Sequence, residues 1–489
     1  MAATSISLSG SHAYVEGQAR SLRKELGFAD LVFASILLVV IPDFFGTAVK
    51  AGPAHIALWM LAIALFFIPQ GLVVAHLNER LPLEGGLYEW ARHAFGDAIG
   101  FLTAWNLWLY AVVYVASIGL VTCTYVAYAF GRDADTVAAN RWLVMGASIV
   151  IIGGLMLLAH LGLRVGKWVT NVGSALTVLV ILFLAALPFY ALQRGSLAAY
   201  HPLRWSAPPL TLFSFSVFSK MTFGALCGFE YAAIFAGESR NPRGHLKRAI
   251  LLAAPLIALL YVFGTSAILA FVPPDKVDVI GPIPQALHAA LSGSRVAQIV
   301  VPLAILCLLT NYLSSFSLCF TANARLPICA GCDHLLPAWF TRLHKRFRTP
   351  VNSILFLGAI TFAVSAVVLL GVGDQEAFEM LQIWGFTFYG VAYLALFAIP
   401  VLAKKNRSLR GPGWLRALAV SGFGMTLLFV ILSVVPIIPV ASQTAYTQKT
   451  VAVLVLANLG GLLLYWLRPR RAVAPAKIGV AIENPPTCP

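Results

Sequence analysis

Charge is scarce in this chain. Only 11% of its 489 residues are charged, and acids are the scarcer half, 19 against 34 bases. With so little charge and 60% hydrophobic residues, the chain cannot present a wettable surface along its length, which excludes a soluble globular class and makes a bilayer the matching solvent. No Gly-x-x-x-x-Gly-Lys-Ser/Thr loop is present, so this chain is no ATP-driven pump working through a phosphate cradle. Nor is there an inward cluster of His, Asp and Glu: His160, His201, His288 and His334 are scattered over loops and helix ends, so no membrane-embedded enzyme site takes shape. No stretch resembles the selectivity filter of a channel. Cysteine is sparse, seven in all, and Cys123, Cys227, Cys307 and Cys319 fall inside apolar runs, where a thiol behaves as a small buried hydrophobe. Cys329 and Cys332, followed by His334 and His344, are zinc-ligand types at the spacing of no zinc finger, so neither metal nor cofactor is expected.

What the chain does have is a series of apolar runs long enough to span hydrocarbon. Turn-rich and charged breaks divide them into Gly27–Lys50, His55–His76, Asp97–Phe130, Trp142–His160, Lys167–Leu192 and Pro209–Ala236, then Leu246–Phe271, Val296–Arg325, Val351–Leu370, Leu381–Leu402, Trp414–Val435 and Thr450–Leu467. The predicted class is therefore an all-α integral membrane protein of about a dozen spans. Residues 1–26 lack the order of a cleaved signal and read as an N-terminal tail, with 468–489 as a C-terminal one. Lys and Arg concentrate in alternate loops. Arg20, Arg23 and Lys24, Arg240 to Arg248, Arg342 to Arg348, and Lys404 to Arg416 share one side, while the other holds only scattered residues such as Lys50, Arg132 and Lys276. By the positive-inside rule both tails lie in the cytoplasm and the surrounding membrane is the cell membrane. The net charge of +15 thus needs no nucleic-acid partner.

Two spans are interrupted in their middles. The first carries Ile41-Pro42-Asp43-Phe44-Phe45-Gly46, where Pro removes a helical hydrogen bond and Gly permits an unwound backbone. The sixth carries Phe223-Gly224-Ala225-Leu226-Cys227-Gly228-Phe229-Glu230. Broken helices free backbone groups that hydrocarbon cannot satisfy, so such breaks line cavities; in corresponding places of two halves they point to a transporter's central site.

Four further stretches carry a family resemblance. They are the outer turn Gly52-Pro53, the inner loop Pro82-Leu83-Glu84-Gly85-Gly86-Leu87-Tyr88-Glu89-Trp90, the sixth-span run Gly228-Phe229-Glu230 with Gly237-Glu238-Ser239-Arg240-Asn241-Pro242, and the loop Asp333-His334-Leu335-Leu336-Pro337 with Thr349-Pro350. In this order and at these loops the sequence resembles the amino acid, polyamine and organocation (APC) transporter superfamily, and within it an amino acid permease. The resemblance implies a LeuT-type inverted repeat of five plus five helices, residues 27–192 and 209–402, with two appended helices at 414–467 and helices 1 and 6 broken. It also implies secondary transport or antiport of amino acids by alternating access, with polyamines or organic cations as the alternative cargo. Three family features are replaced: the glycine triplet of the first helix aligns with Leu38-Val39-Val40, the gating aromatic that some relatives carry in the sixth falls on Gly224 with Phe223 as a neighbouring substitute, and a lysine used for proton coupling by some relatives aligns with Thr177.

Asp43, halfway through the first span, costs several kcal/mol there unless protonated, paired or solvated. It reads as a counter-ion for a substrate amine, a proton carrier, or a cap on the helix break. Glu230 resembles the family's sixth-helix acid, which implies proton coupling, with a structural hydrogen bond as the other reading. The substrate-binding set expected around them is Ile41, Pro42, Asp43, Phe44, Gly46, Tyr110, Tyr114, Phe223, Gly224 and Gly228, where Tyr110 and Tyr114 share a helix face by their spacing. Lys220, the one basic residue deep in a span, is expected to snorkel outward, with a contact to a substrate carboxylate as the other reading. The proton is the expected coupling ion, and Thr310, Ser314 and Ser315 keep sodium as the alternative. The expected partners are a small amino acid or amine and the lipid bilayer; the sequence sets no oligomeric state.

Overall fold

The computed structural model describes residues 27–467, apart from 82–84, 132–135, 138–139, 162, 204, 232–243, 293, 295, 333–337, 343, 345–346, 348 and 370–373. The described residues form helices and turns and no strand. Among the described residues ten helices are long and apolar enough to cross a membrane: Gly52–Arg80, Asp97–Ala129, Arg141–Leu161, Trp168–Gln193, His245–Leu269, Ala297–Pro327, Val351–Val368, Gln375–Leu402, Gly413–Leu432 and Gln443–Leu467. Phe28–Val39 and Asp43–Val49 meet at 49° and together make one more. Leu212–Leu226 is apolar, but its 15 residues reach only about 22 Å of a roughly 30 Å core. The count of twelve rests on taking it as the first half of a sixth span; residues 232–243 lie outside the described residues. Spans are numbered below on that basis.

Burial sorts them. The third span is 89% buried within the protein and the twelfth 11%, so the third runs through the middle and the twelfth faces lipid along most of its length. The tenth span packs along the third and the eleventh, the fifth along the eighth, and the first against the fifth and seventh. The third and tenth spans, packed on each other, are the most enclosed of the ten, and the eleventh and twelfth lie toward the periphery. The loop after the second span turns as its glycines predict: Gly85 and Gly86 take positive φ (94° and 50°), and the chain enters the short helix Leu87–Phe95, which buries Tyr88 and Trp90. The second span widens into a π turn at Ile63–Phe67, directly before Pro69, whose ring cannot accept the regular helical spacing.

Three boundaries correct the sequence reading: the eighth helix runs on to Cys332 rather than Arg325, the twelfth starts at Gln443 rather than Thr450, and the tenth differs at its start. The tenth span starts at Asp374 rather than Leu381, about two turns earlier. The acids Glu376 and Glu379 had excluded that stretch from the apolar run. Glu379 is nonetheless buried, because a lysine from another span meets it.

Candidate functional site

The first span unwinds over Val40, Ile41 and Pro42. The helix ends at Val39, Val40 is extended (φ −84°, ψ 93°), and Pro42 stands at the head of Asp43–Val49. The expected interruption, Pro42 through Gly46, is thus displaced: Asp43, Phe44 and Gly46 are helical. The reason is the dual character of proline, which cannot continue a helix but has the φ that starts one. The groups freed by the break are held by Tyr261 of the seventh span, whose hydroxyl accepts from Ile41 N (3.0 Å) and donates to Val39 O (2.8 Å). Gly46 allows a close approach to the segment after the seventh span, since a Cβ there would stand 3.2 Å from Val279 Cα.

The sixth span breaks where expected. Its helix ends at Leu226, Cys227 is extended and Gly228 takes φ 131°, a region L residues rarely enter. Gln70 Nε2 donates to Leu226 O (3.1 Å), and Gly228 N donates to the Tyr393 hydroxyl (2.9 Å). The two breaks abut. A Cβ on Gly228 would lie 2.9 Å from Leu38 O, and one on Gly224 would lie 2.2 Å from the Phe44 ring.

Each break carries a buried carboxylate. Asp43 accepts hydrogen bonds from the Tyr312 hydroxyl and from Gln382 Nε2 (3.0 Å), and Tyr312 lies 3.2 Å, oxygen to oxygen, from Tyr125. Glu230 accepts from Tyr389 and Tyr393. Neither acid pairs with a lysine or arginine among the described residues. The partners therefore stabilise negative charge without neutralising it, and each site has the chemistry to hold a proton or an organic cation. Tyr110 stacks on Tyr114 (5.4 Å) and on Tyr389 (4.3 Å), and Tyr114 packs on Phe316 and Phe386, so the expected aromatic wall leads away from the Glu230 partners. Phe223 meets that wall at Tyr389, edge to face at 5.8 Å. It stacks on Phe429 (4.7 Å) and meets Phe66 and Tyr393, while Phe44 and Phe386, edge to face at 5.0 Å, form the aromatic pair next to Asp43.

Lys220 does not snorkel. It is buried against Glu379 at 2.9 Å and also donates to Val435 O (2.8 Å), while Ile437 N donates to the same Glu379 oxygen (3.0 Å). Burial wins because an opposite charge and two backbone groups are in reach, which no local sequence pattern reveals. A small cavity lies beside this pair, walled by Phe44, Thr47, Gln382, Ile383, Phe386, Phe429 and Ile437. Outside it, a cleft of about 670 Å³ opens between Lys50, Phe213, Pro274, Asp275, Gln443 and the segment Pro436 to Val440. Ile437 belongs to both walls.

The sequence reading missed most of the tenth span's part in the site. Glu379, Gln382, Phe386, Tyr389 and Tyr393 recur at steps of three and four, which is one helix face, and that signal was present. Of the hydroxyls suggested for sodium, Thr310 donates to Leu306 O and Ser314 to Val169 O and Thr310 O, so both are used in helix packing. Thr177 bonds Asn311. The described residues hold no group of three metal-ligand side chains; His334, Gly237 to Pro242 and Asp333 to Pro337 lie outside them, as do the side chains of Cys329 and Cys332.

A family model described as amino acid permease matches residues 26–461. A probable agmatine/putrescine antiporter, AguD, of Lactococcus lactis is 24% identical over 76% of this chain and 77% of its own. The branched-chain amino acid permease BcaP of Bacillus subtilis is 24% identical over 81% of this chain and 85% of its own. Among solved structures, MhsT in complex with L-phenylalanine superposes with a TM-score of 0.63 at 16% identity, covering 84% of this chain and 99% of that one, a likeness of fold.

Proposed function

The chain belongs to the amino acid permease family, and on that premise we propose that it carries amino acids across the cytoplasmic membrane by alternating access around the two helix breaks, in proton-linked or exchange mode. The family and the fold make it a multi-pass membrane transporter rather than an enzyme. The observation that carries the finer reading is the abutment of the breaks, Gly228 against Leu38 O and Gly224 against Phe44, with an acid lacking a cationic partner at each. Interrupted helices at a buried centre are where such proteins bind cargo, because only there does irregular backbone face a cavity instead of lipid. In this reading residues 27–192 and 209–402 are the two inverted repeats, both termini are cytoplasmic, and Asp43 and Glu230 are the proton carriers.

A second reading exchanges the cargo for a polyamine. Two buried acids without a basic partner suit a dication, and AguD is named for agmatine and putrescine. Both readings meet one test. Purified protein in liposomes under an imposed pH gradient takes up or exchanges radiolabelled neutral, acidic and basic amino acids and putrescine. Accumulation of one amino acid but not putrescine supports the first reading, and the reverse pattern supports the second. Uptake of none refutes both.

A further inference from the structure

Asp43 is buried, so any proton that reaches it needs a route through the groups packed around it. The tenth span brings Gln382, an amide whose Nε2 keeps its hydrogens and cannot take a proton and pass it on. The seventh brings Tyr261, whose hydroxyl is committed to Val39 O and Ile41 N. The sixth packs on the same stretch and brings Lys220, committed to Glu379. The helix Pro282–Leu291, seated against Asp43–Val49, brings His288, whose Nε2 is bonded to Tyr128 O at 2.7 Å. Tyr114 of the third span faces the acid without bonding it. Tyr312 of the eighth span is different. Its hydroxyl donates to Asp43 Oδ1 and lies 3.2 Å from the hydroxyl of Tyr125 on the third span, a contact in which either oxygen can donate.

Tyr125 in turn stands near an exposed end of its helix. It is about 6 Å along the axis from Ala129, where the helix stops, and Phe130 beyond is exposed. Tyr128, three residues on and so a neighbour on the helix surface, is half-buried and donates to Asp278 Oδ2 at 2.7 Å. Asp278, in the segment after the seventh span, is within electrostatic range of both Tyr125 and Asp43. From this chain of hydroxyls we infer that Tyr125 and Tyr312 relay protons between Asp43 and the surface beside the Tyr128–Asp278 pair, the outer surface in the proposed orientation. The inference rests on the proposed role of Asp43 as a proton carrier and specifies how that carrier is loaded. Inward, Asp43 Oδ1 takes the hydroxyl proton of Tyr312, Tyr312 takes that of Tyr125, and Tyr125 takes one from a hydronium at the Tyr128–Asp278 end. Each O–H bond broken is matched by one formed, both tyrosines end as neutral phenols, and the carboxylate charge is cancelled as the hydronium becomes water. Asp278 places a carboxylate at the mouth, where it attracts the incoming cation.

The test needs no cargo. Purified protein in lipid nanodiscs is dropped from alkaline to acid pH, and the growth of the protonated-carboxyl infrared band is followed in time, the band being assigned to Asp43 by its loss in Asp43→Asn. Tyr125→Phe cuts the relay without touching Asp43 or its bond from Tyr312, and keeps the ring that packs edge to face on Tyr312 at 5.2 Å. A positioned proton donor contributes about 10²–10⁴-fold to a rate limited by proton transfer. The band in Tyr125→Phe should therefore grow at least roughly tenfold more slowly than in wild type and reach the same final height, a change of rate alone that lost packing would not give. Tyr312→Phe removes the second link, and because links in series fail together the double variant should be no slower than the slower single one. A wild-type rate in Tyr125→Phe overturns the relay, as do losses that multiply in the double variant. A wild-type protein with no Asp43 band at any pH overturns it too, since Asp43 then exchanges no proton. The liposome uptake panel is read separately: wild-type rates in Tyr125→Phe with amino acid uptake intact remove the relay alone, and uptake of nothing by a protein whose relay variants are slow removes the transport reading alone.

Discussion

Tyr261→Phe removes one oxygen atom and tests whether the first break is held from outside its own helix. The hydroxyl satisfies two backbone groups at once, accepting from Ile41 N at 3.0 Å and donating to Val39 O at 2.8 Å. The ring itself is fully buried, stacked on Trp59 at 4.7 Å and tilted against Phe45 at 4.9 Å, so phenylalanine keeps the packing and leaves almost no cavity. What is lost is hydrogen bonding alone. A buried polar group left without its partner costs about 1–3 kcal/mol, which gives about 2–6 kcal/mol for the two groups, with the lower end applying if a water takes the vacated place. A control is Tyr200→Phe, whose hydroxyl donates a single bond to Ser266 of the seventh span at 3.1 Å from a partly exposed position. One bond between neutral groups is worth about 0.5–1.5 kcal/mol. Reversible unfolding in mixed micelles, followed by tryptophan fluorescence, compares the two. Tyr261→Phe is expected to lose at least twice the stability that Tyr200→Phe loses. Equal losses would refute the reasoning, because they would mean that Val39 O and Ile41 N find other partners at no cost.

Further predictions concern the contact between the breaks and the acid of the sixth span. Gly224→Ala pushes a methyl into the Phe44 ring, a swing of one side chain, and should lower uptake severalfold at near-normal thermal stability. Gly228→Ala meets the Leu38 carbonyl and an unfavourable φ together; it should melt at a clearly lower temperature and transport nothing, and a stable, active protein would show that the breaks do not pack as described. Glu230→Gln should insert normally and take up substrate at a rate that no longer varies with external pH; an unchanged pH profile would take proton coupling away from Glu230.

How far the sequence leads depends on whether the signal is local. Asp43 and Glu230 are legible because an acid inside an apolar run is conspicuous by itself, and Tyr110 with Tyr114 because helical spacing puts them on one face. Gly85 and Gly86 announce a turn for the same kind of reason. Pro42 is ambiguous locally, since it both ends and begins helices, and the structure chooses the second. Lys220 is a different case. Its meaning depends on Glu379, 159 positions away, and on two backbone groups near Val435, and no window along the chain contains all of them. Glu379 was hidden further by the rule that finds spans, which discards acids at a span's edge. The same applies to Tyr261, Gln70 and Tyr393: each is an ordinary membrane-helix residue until the backbone it caps, on another span, is known.

Capping a broken helix with a side chain from a neighbouring span has a consequence for how the protein moves. A regular helix holds its own backbone groups wherever it goes, but Ile41 N stays satisfied only while the first span keeps its place against the seventh, and Leu226 O only while the sixth keeps its place against the second. Tyr393 adds a link to chemistry. Its hydroxyl accepts from Gly228 N and donates to Glu230, so a proton arriving on Glu230 converts one acceptor oxygen into a donor that competes with the tyrosine hydrogens directed at it. One of the two tyrosine hydroxyls then rotates its hydrogen away and accepts from the new O–H instead. If Tyr393 does so, its two lone pairs receive Gly228 N–H and the Glu230 O–H together, and its own hydrogen is released beside the sixth-span break, which lies against Leu38 of the first. On the proposed reading, proton arrival is thereby felt at the breaks through a hydroxyl that donates to Glu230 in one protonation state and accepts from it in the other.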